Sequence, residues 1–189
     1  MAGWAAARKV WRNVVNHNVK LLSVAALLFA GALGAQAIAA EGPSDAEIAH
    51  IAYTAGAIDA AAAGQALAIS HNAEVRGFAE VMLRDHEAVN AKALALVKKL
   101  GVTPADNGTS QALSKQAAET HDRLAKLSGA AFDRAYMLNE VAYHRTVNGA
   151  LKDALIPSAD NDELKALLQA GATLFGEHQA HAEALAAKL

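Results

Sequence analysis

From Ser44 onward the apolar residues recur every three to four positions in four long blocks, and no stretch alternates with period two. That periodicity restricts the chain to packed amphipathic helices, since a half-buried strand needs its apolar side chains at every second position. Pro43, Pro104 and Pro157 are the only prolines, and each falls at a junction between blocks. Proline lacks the N–H that a helix interior requires, so the blocks are read as separate helices.

The first helix opens on Ser44-Asp45-Ala46-Glu47, a capping box, and runs to about Ser70, with Ile48, Ile51, Ala55, Ile58, Ala62, Ala66 and Ile69 on one face. Asn72 is placed to cap a second helix over 73–100. Lys98 and Lys99 suit the negative end of its dipole, and Gly101 suits the left-handed position beyond it. The loop GVTPADNGTS leads to a shorter helix near 111–127. A third long helix is expected over 130–155, ended by Pro157-Ser158, and a fourth from the Asp160-Asn161-Asp162-Glu163 start nearly to Leu189. Aromatic residues make up only 5% of a chain that is 53% hydrophobic, so small side chains, alanine above all, must fill much of the core. The expected fold is therefore all-α, an antiparallel four-helix bundle with an additional short helix between the second and third long ones.

Residues 1–39 are of another kind. Arg8, Lys9, Arg12 and Lys20 precede the apolar run LLSVAALLFAGALGA, and Ala37-Ile38-Ala39 offers a signal-peptidase site. The reading is a signal peptide over 1–39 followed by one domain over 40–189, in the periplasm or secreted. The alternative is an uncleaved inner-membrane anchor, because residues 21–40 carry no charge over a span-length stretch. All 19 Asp and Glu lie at or after Glu41, whereas four of the 17 Lys and Arg lie before it, so the cleaved chain would carry −6. That balance argues against nucleic acid and anionic lipid as partners, and no membrane association is expected once the signal peptide is cleaved.

Ionisable residues interrupt the apolar stripes. Asp59 lies between Ala55, Ala62 and Ala66; Asp85 and His86 straddle the stripe of Phe78, Met82, Val89 and Ala93; Glu140 and His144 fall within the arc of Phe132, Tyr136, Tyr143 and Val147; His178 lies among Phe175, Ala182 and Leu185. Each is near the middle of its helix, so bundling would bring them to one height. Unpaired charge in a core costs several kcal/mol. The groups must therefore satisfy one another in a hydrogen-bonded network or hold an ion. Imidazole and carboxylate from facing helices suit a divalent transition metal: zinc, copper, manganese or iron. The candidate metal residues are thus Asp59, Asp85, His86, Glu140, His144 and His178. The Glu-x-x-His pairs of di-iron carboxylate bundles are absent, since Leu83 and Phe175 stand where those carboxylates would be. His50 points away from its stripe and is expected in solvent, His71 lies in a turn, and His121 is expected at the surface. His178 and His181, three apart, could chelate at the edge of the core.

VRGFAEVMLRDHEAVNAKALALVKKLGVTP, FDRAYMLNEVAYH and GEHQAHAEAL together resemble the bacterial family called domain of unknown function 4142 over about Ser44 to Leu189. The resemblance implies a ferritin-like bundle in an exported protein and picks out Asp85, His86, Asn90, Phe132, Asp133, Tyr136, His144 and His178. Two departures stand out: an alanine run around Asp59 where many members are rich in Glu, and no Leu-Pro ahead of His178.

No Ser-His-Asp spacing or glycine-rich phosphate loop is present, and without cysteine there is neither a thiolate site nor a disulfide. The functional expectation is a non-catalytic binding or stress-related protein of the bacterial envelope, with a metal-dependent redox enzyme or metal-storage protein as the alternative.

Overall fold

A computed structural model describes residues 42–189; the readings of residues 1–39 as a signal peptide and of 21–40 as an anchor fall outside the described residues. Every regular element among them is helical: α1 (Asp45–Ile69), α2 (Ala73–Leu100), α3 (Gly108–Leu124), α4 (Gly129–Ala150) and α5 (Asp162–Ala186). No described helix is long and apolar enough to cross a membrane.

The termini are set by local chemistry. The Glu47 carboxylate accepts from both the backbone N–H and the hydroxyl of Ser44, at 3.0 and 2.8 Å. Asn72 accepts from the amides of Glu74 and Val75, and Gly101, at φ 65°, ends α2 in the left-handed region. α3 starts three residues ahead of the sequence expectation, because Asn107 caps it by accepting from the Ser110 amide at 3.0 Å. α4 does not run as a uniform helix to Leu155. A π turn over Leu151–Leu155 carries it into a last short turn, Ile156–Ser158. Pro157 supplies no N–H there, and the wider turn ahead of it, with Ile156 N–H bonded to Leu151 O, carries the chain to that break.

Contacts at the two ends define the helix directions. At one end the Asp45 carboxylate accepts the amides of Asp160 and Asn161, Ala105 N–H bonds to Ala46 O, and Lys99 meets Glu163. The start of α1, the end of α2 and the start of α5 therefore lie together. At the other end Ser70 donates its hydroxyl proton to Asp133, Arg76 donates to the carbonyls of Leu67 and Ser70, and Lys188 meets Glu74. α4 accordingly begins beside the end of α1. α3 makes this possible: it starts near Glu47, runs along α1, and ends where Gln65 donates to His121 O.

His50 corrects the sequence expectation. It is 7% exposed, with Nδ1 3.9 Å from Asp106 Oδ1, because α3 and its leading loop cover that side of α1. His121 is exposed as expected, and His71, in the connection between α1 and α2, is exposed as well.

The apolar core falls into two clusters. One holds Ala63, Ala66, Phe78, Met82, Phe132, Tyr136, Met137, Ala182 and Leu185; the other holds Ile48, Ile51, Leu151, Leu155, Leu164, Leu168 and Phe175. On α1, α4 and α5 the ionisable residues of the stripes lie between the segments that feed these clusters, and on α2 His86 follows directly after the first. A polar layer crosses the interior where the hydrophobic core divides.

Candidate metal centre

α1 contributes Asp59, α2 His86, α4 Glu140 and His144, and α5 His178, all five buried. The imidazole rings of His86, His144 and His178 have centroids 5.4–5.7 Å apart. Ligand atoms from these three side chains lie within 4.8 Å of one another, as do atoms from Asp59, Glu140 and His144. Asp59 sits between two rings: its Oδ1 is 3.6 Å from His86 Nε2, and its Oδ2 is 3.6 Å from His144 Nε2. Glu140 Oε2 is 3.6 Å from His144 Nδ1. These separations exceed hydrogen-bonding distance.

Two of the histidines have their tautomers set by a neighbour. His144 Nδ1 lies 3.1 Å from the backbone carbonyl of Glu140, which can only accept, so the ring proton resides there and Nε2 turns its lone pair inward. His178 Nε2 lies 3.1 Å from Asp85 Oδ2, which assigns the proton to Nε2 and leaves buried Nδ1 with the lone pair. Asp85 is itself held at Oδ1 by Arg84 Nε, 2.7 Å away. The sequence placed Asp85 among the candidate ligands; here its carboxylate backs His178 and is half-turned to solvent. A carboxylate behind an imidazole is the usual support of a metal-bound histidine. His86 has no such support. It stacks on Phe175, with centroids 4.5 Å apart and planes 12° from parallel. His181 packs edge-on against Phe78 at 5.2 Å and is exposed, outside the layer.

Eight buried atoms of the layer find no hydrogen-bond partner among the described residues: both oxygens of Asp59 and of Glu140, both nitrogens of His86, His144 Nε2 and His178 Nδ1. Each stranded donor or acceptor costs about 1–3 kcal/mol. Burial shifts every group toward its neutral form. Asp59 is pushed up to about 7. Glu140 is raised well above the usual carboxylate range, first by burial and then by Asp59. His86 is pushed down to about 3 by burial and by the two other imidazoles, and His144 to about 4, chiefly by burial. Burial also lowers His178, against the opposing pull of Asp85. Neutral imidazole is the form that binds a metal.

Reading the sequence alone missed the supporting contacts. Tyr143 spans to α1, donating to Ala55 O at 2.9 Å, one turn before Asp59. Asn90, one turn after His86, donates to Tyr53 O at 3.4 Å and lies so close to Gly56 that a Cβ there would overlap its Oδ1. A small residue one turn before an inward carboxylate was the available signal. Tyr136 buries its hydroxyl, without a partner among the described residues, one turn before Glu140.

These features define an all-helical protein whose interior is crossed by a layer of converging imidazoles and carboxylates. Residues 30–185 match the family described as Domain of unknown function (DUF4142), and the chain belongs to that family. No curated protein and no solved structure matches it.

Proposed function

We propose that this protein binds a divalent transition metal, with zinc, copper, manganese and iron as the candidates, in the layer formed by Asp59, His86, Glu140, His144 and His178. Asp85 orients His178 from outside. The observation that carries the reading is the set of eight buried polar atoms without partners, facing one another from four helices. A hydrogen-bonded network would have used those atoms. Divalent metal satisfies the lone pairs among them, and the charge of a first ion is balanced, since two ionised carboxylates and a 2+ cation sum to zero beside three neutral imidazoles. Binding would release the protons that burial leaves on Asp59 and Glu140.

The surrounding architecture is read as a ferritin-like four-helix bundle over residues 40–189, with α3 as the crossover that lets α4 start beside the end of α1. The basic, apolar and small-residue succession before residue 40 supports export to the periplasm after cleavage at Ala39. The role is binding within the envelope, without catalysis and without nucleic acid as partner. Elemental analysis and intact mass of the protein isolated from the periplasmic fraction test the reading. Bound transition metal in a chain that begins near Ala40 supports it. A metal-free chain that gains no thermal stability from Zn²⁺, Cu²⁺, Mn²⁺ or Fe²⁺ overturns it.

A further inference from the structure

The layer holds more donors than one ion uses. A tetrahedral zinc takes four ligand atoms, yet five side chains with eight unpartnered atoms converge here. They also divide by position. His86, His144 and His178 make one mutually close set, and Asp59, Glu140 and His144 make another. Only His144 belongs to both. Asp59 turns one oxygen toward His86 and the other toward His144, each at 3.6 Å, which is how a carboxylate that bridges two ions is disposed. A single ion centred among the three imidazoles would leave Glu140 ionised beside it without a bond, or protonated and stranded, in a site 1% exposed.

We infer that the layer is a dinuclear centre, with two divalent transition-metal ions bridged by the Asp59 carboxylate, the first on His86 and His178 and the second on Glu140 and His144. This deepens the metal-binding reading and rests on it. Two-metal sites hold their ions about 3.5–4 Å apart, a spacing that one carboxylate can span. The excess positive charge left after Asp59 and Glu140 ionise would be met by hydroxide derived from water, which two adjacent cations acidify. The donor set differs from the Glu-x-x-His arrangement of di-iron carboxylate bundles, because three of its five side chains are imidazoles and one aspartate supplies the bridge.

The test is the metal-to-protein ratio of the chain reconstituted with Zn²⁺ or Cu²⁺ and freed of loose metal by gel filtration. The expected ratio is two for wild type and at most one for Asp59→Ala, with unchanged far-ultraviolet circular dichroism as the folding control. In the copper-loaded wild type, magnetic coupling between neighbouring ions should suppress the electron paramagnetic resonance signal. Asp59→Asn, which keeps the shape and removes the bridging charge, should restore the signal of an isolated Cu²⁺. If Asp59→Ala fails to fold, the coupling lost in Asp59→Asn still decides the matter. A wild-type ratio of one, with a full uncoupled signal, overturns the dinuclear centre and leaves a mononuclear site standing. A ratio of two that survives Asp59→Ala but falls in His181→Ala places the second ion on the surface, and also overturns it. A ratio of zero with Zn²⁺, Cu²⁺, Mn²⁺ and Fe²⁺ alike refutes the metal-binding reading itself.

Discussion

Replacing His86 by leucine separates a layer that awaits an ion from one satisfied by its own hydrogen bonds. Leucine is of similar bulk and can pack on Phe175, against which the imidazole now stacks. Both nitrogens of His86 are buried without partners, and neither Asp59 oxygen is within hydrogen-bonding distance of them, so the substitution strands nothing new. Removing one or two such groups should stabilise the chelated protein by about 1–3 kcal/mol. In a domain of this size that is roughly 2–4 °C in Tm per kcal/mol. With metal the order reverses. At a concentration one hundred times Kd, wild type gains about 2.7 kcal/mol, and His86→Leu should lose most of that increment. The assay is thermal unfolding of both proteins in EDTA and in each metal. If His86→Leu is less stable than wild type by more than about 1 kcal/mol in EDTA, the imidazole belongs to a satisfied network and the argument fails.

Three other outcomes follow from particular contacts. Asp85→Asn weakens the support behind His178 without removing a ligand, so metal affinity should fall about 10–100-fold by competition against a chelator, with Tm in EDTA little changed. Gly56→Ala puts a methyl group into Asn90; the overlap costs about 1–3 kcal/mol against about 1 kcal/mol gained in helix propensity, so chemical denaturation should show a net loss. For pH, Asp59 titrates at about 7 in the fold, above its ordinary 3.8, so the folded state holds a proton the unfolded state has released. The corresponding stability is fully present below about 4 and is lost as pH rises to about 7. Metal-free wild type should therefore lose stability relative to Asp59→Asn between pH 5 and pH 8, and a constant difference across that range would contradict the burial of Asp59.

The helix ends and the polar layer were legible in the sequence because both follow short-range rules. Asn72 and Gly101 act within one turn of themselves, and the inward positions of Asp59, Glu140, His144 and His178 follow from a 3.6-residue period alone. What depends on packing between distant segments was not legible. His50 is buried by α3, a helix more than fifty residues further on, so its own stripe could not show the cover. Asp85 flanks the stripe as closely as His86 does, and only the Arg84 contact and the approach of α5 decide that it faces His178 from outside. Asp133 was visible as part of a motif, but its partner Ser70 lies 63 positions away. The π turn before Pro157 trades one backbone pairing for another, which a side-chain pattern does not record.

Anomalous diffraction from crystals of the metal-loaded protein, collected at the absorption edge of the metal, tests the central claim most directly. The expected result is density in the interior, each ion lying about 2.0–2.2 Å from nitrogens drawn from His86, His144 and His178 and from carboxylate oxygens of Asp59 or Glu140. Density confined to the exposed His71, His121 or His181, with the interior layer empty, would contradict it.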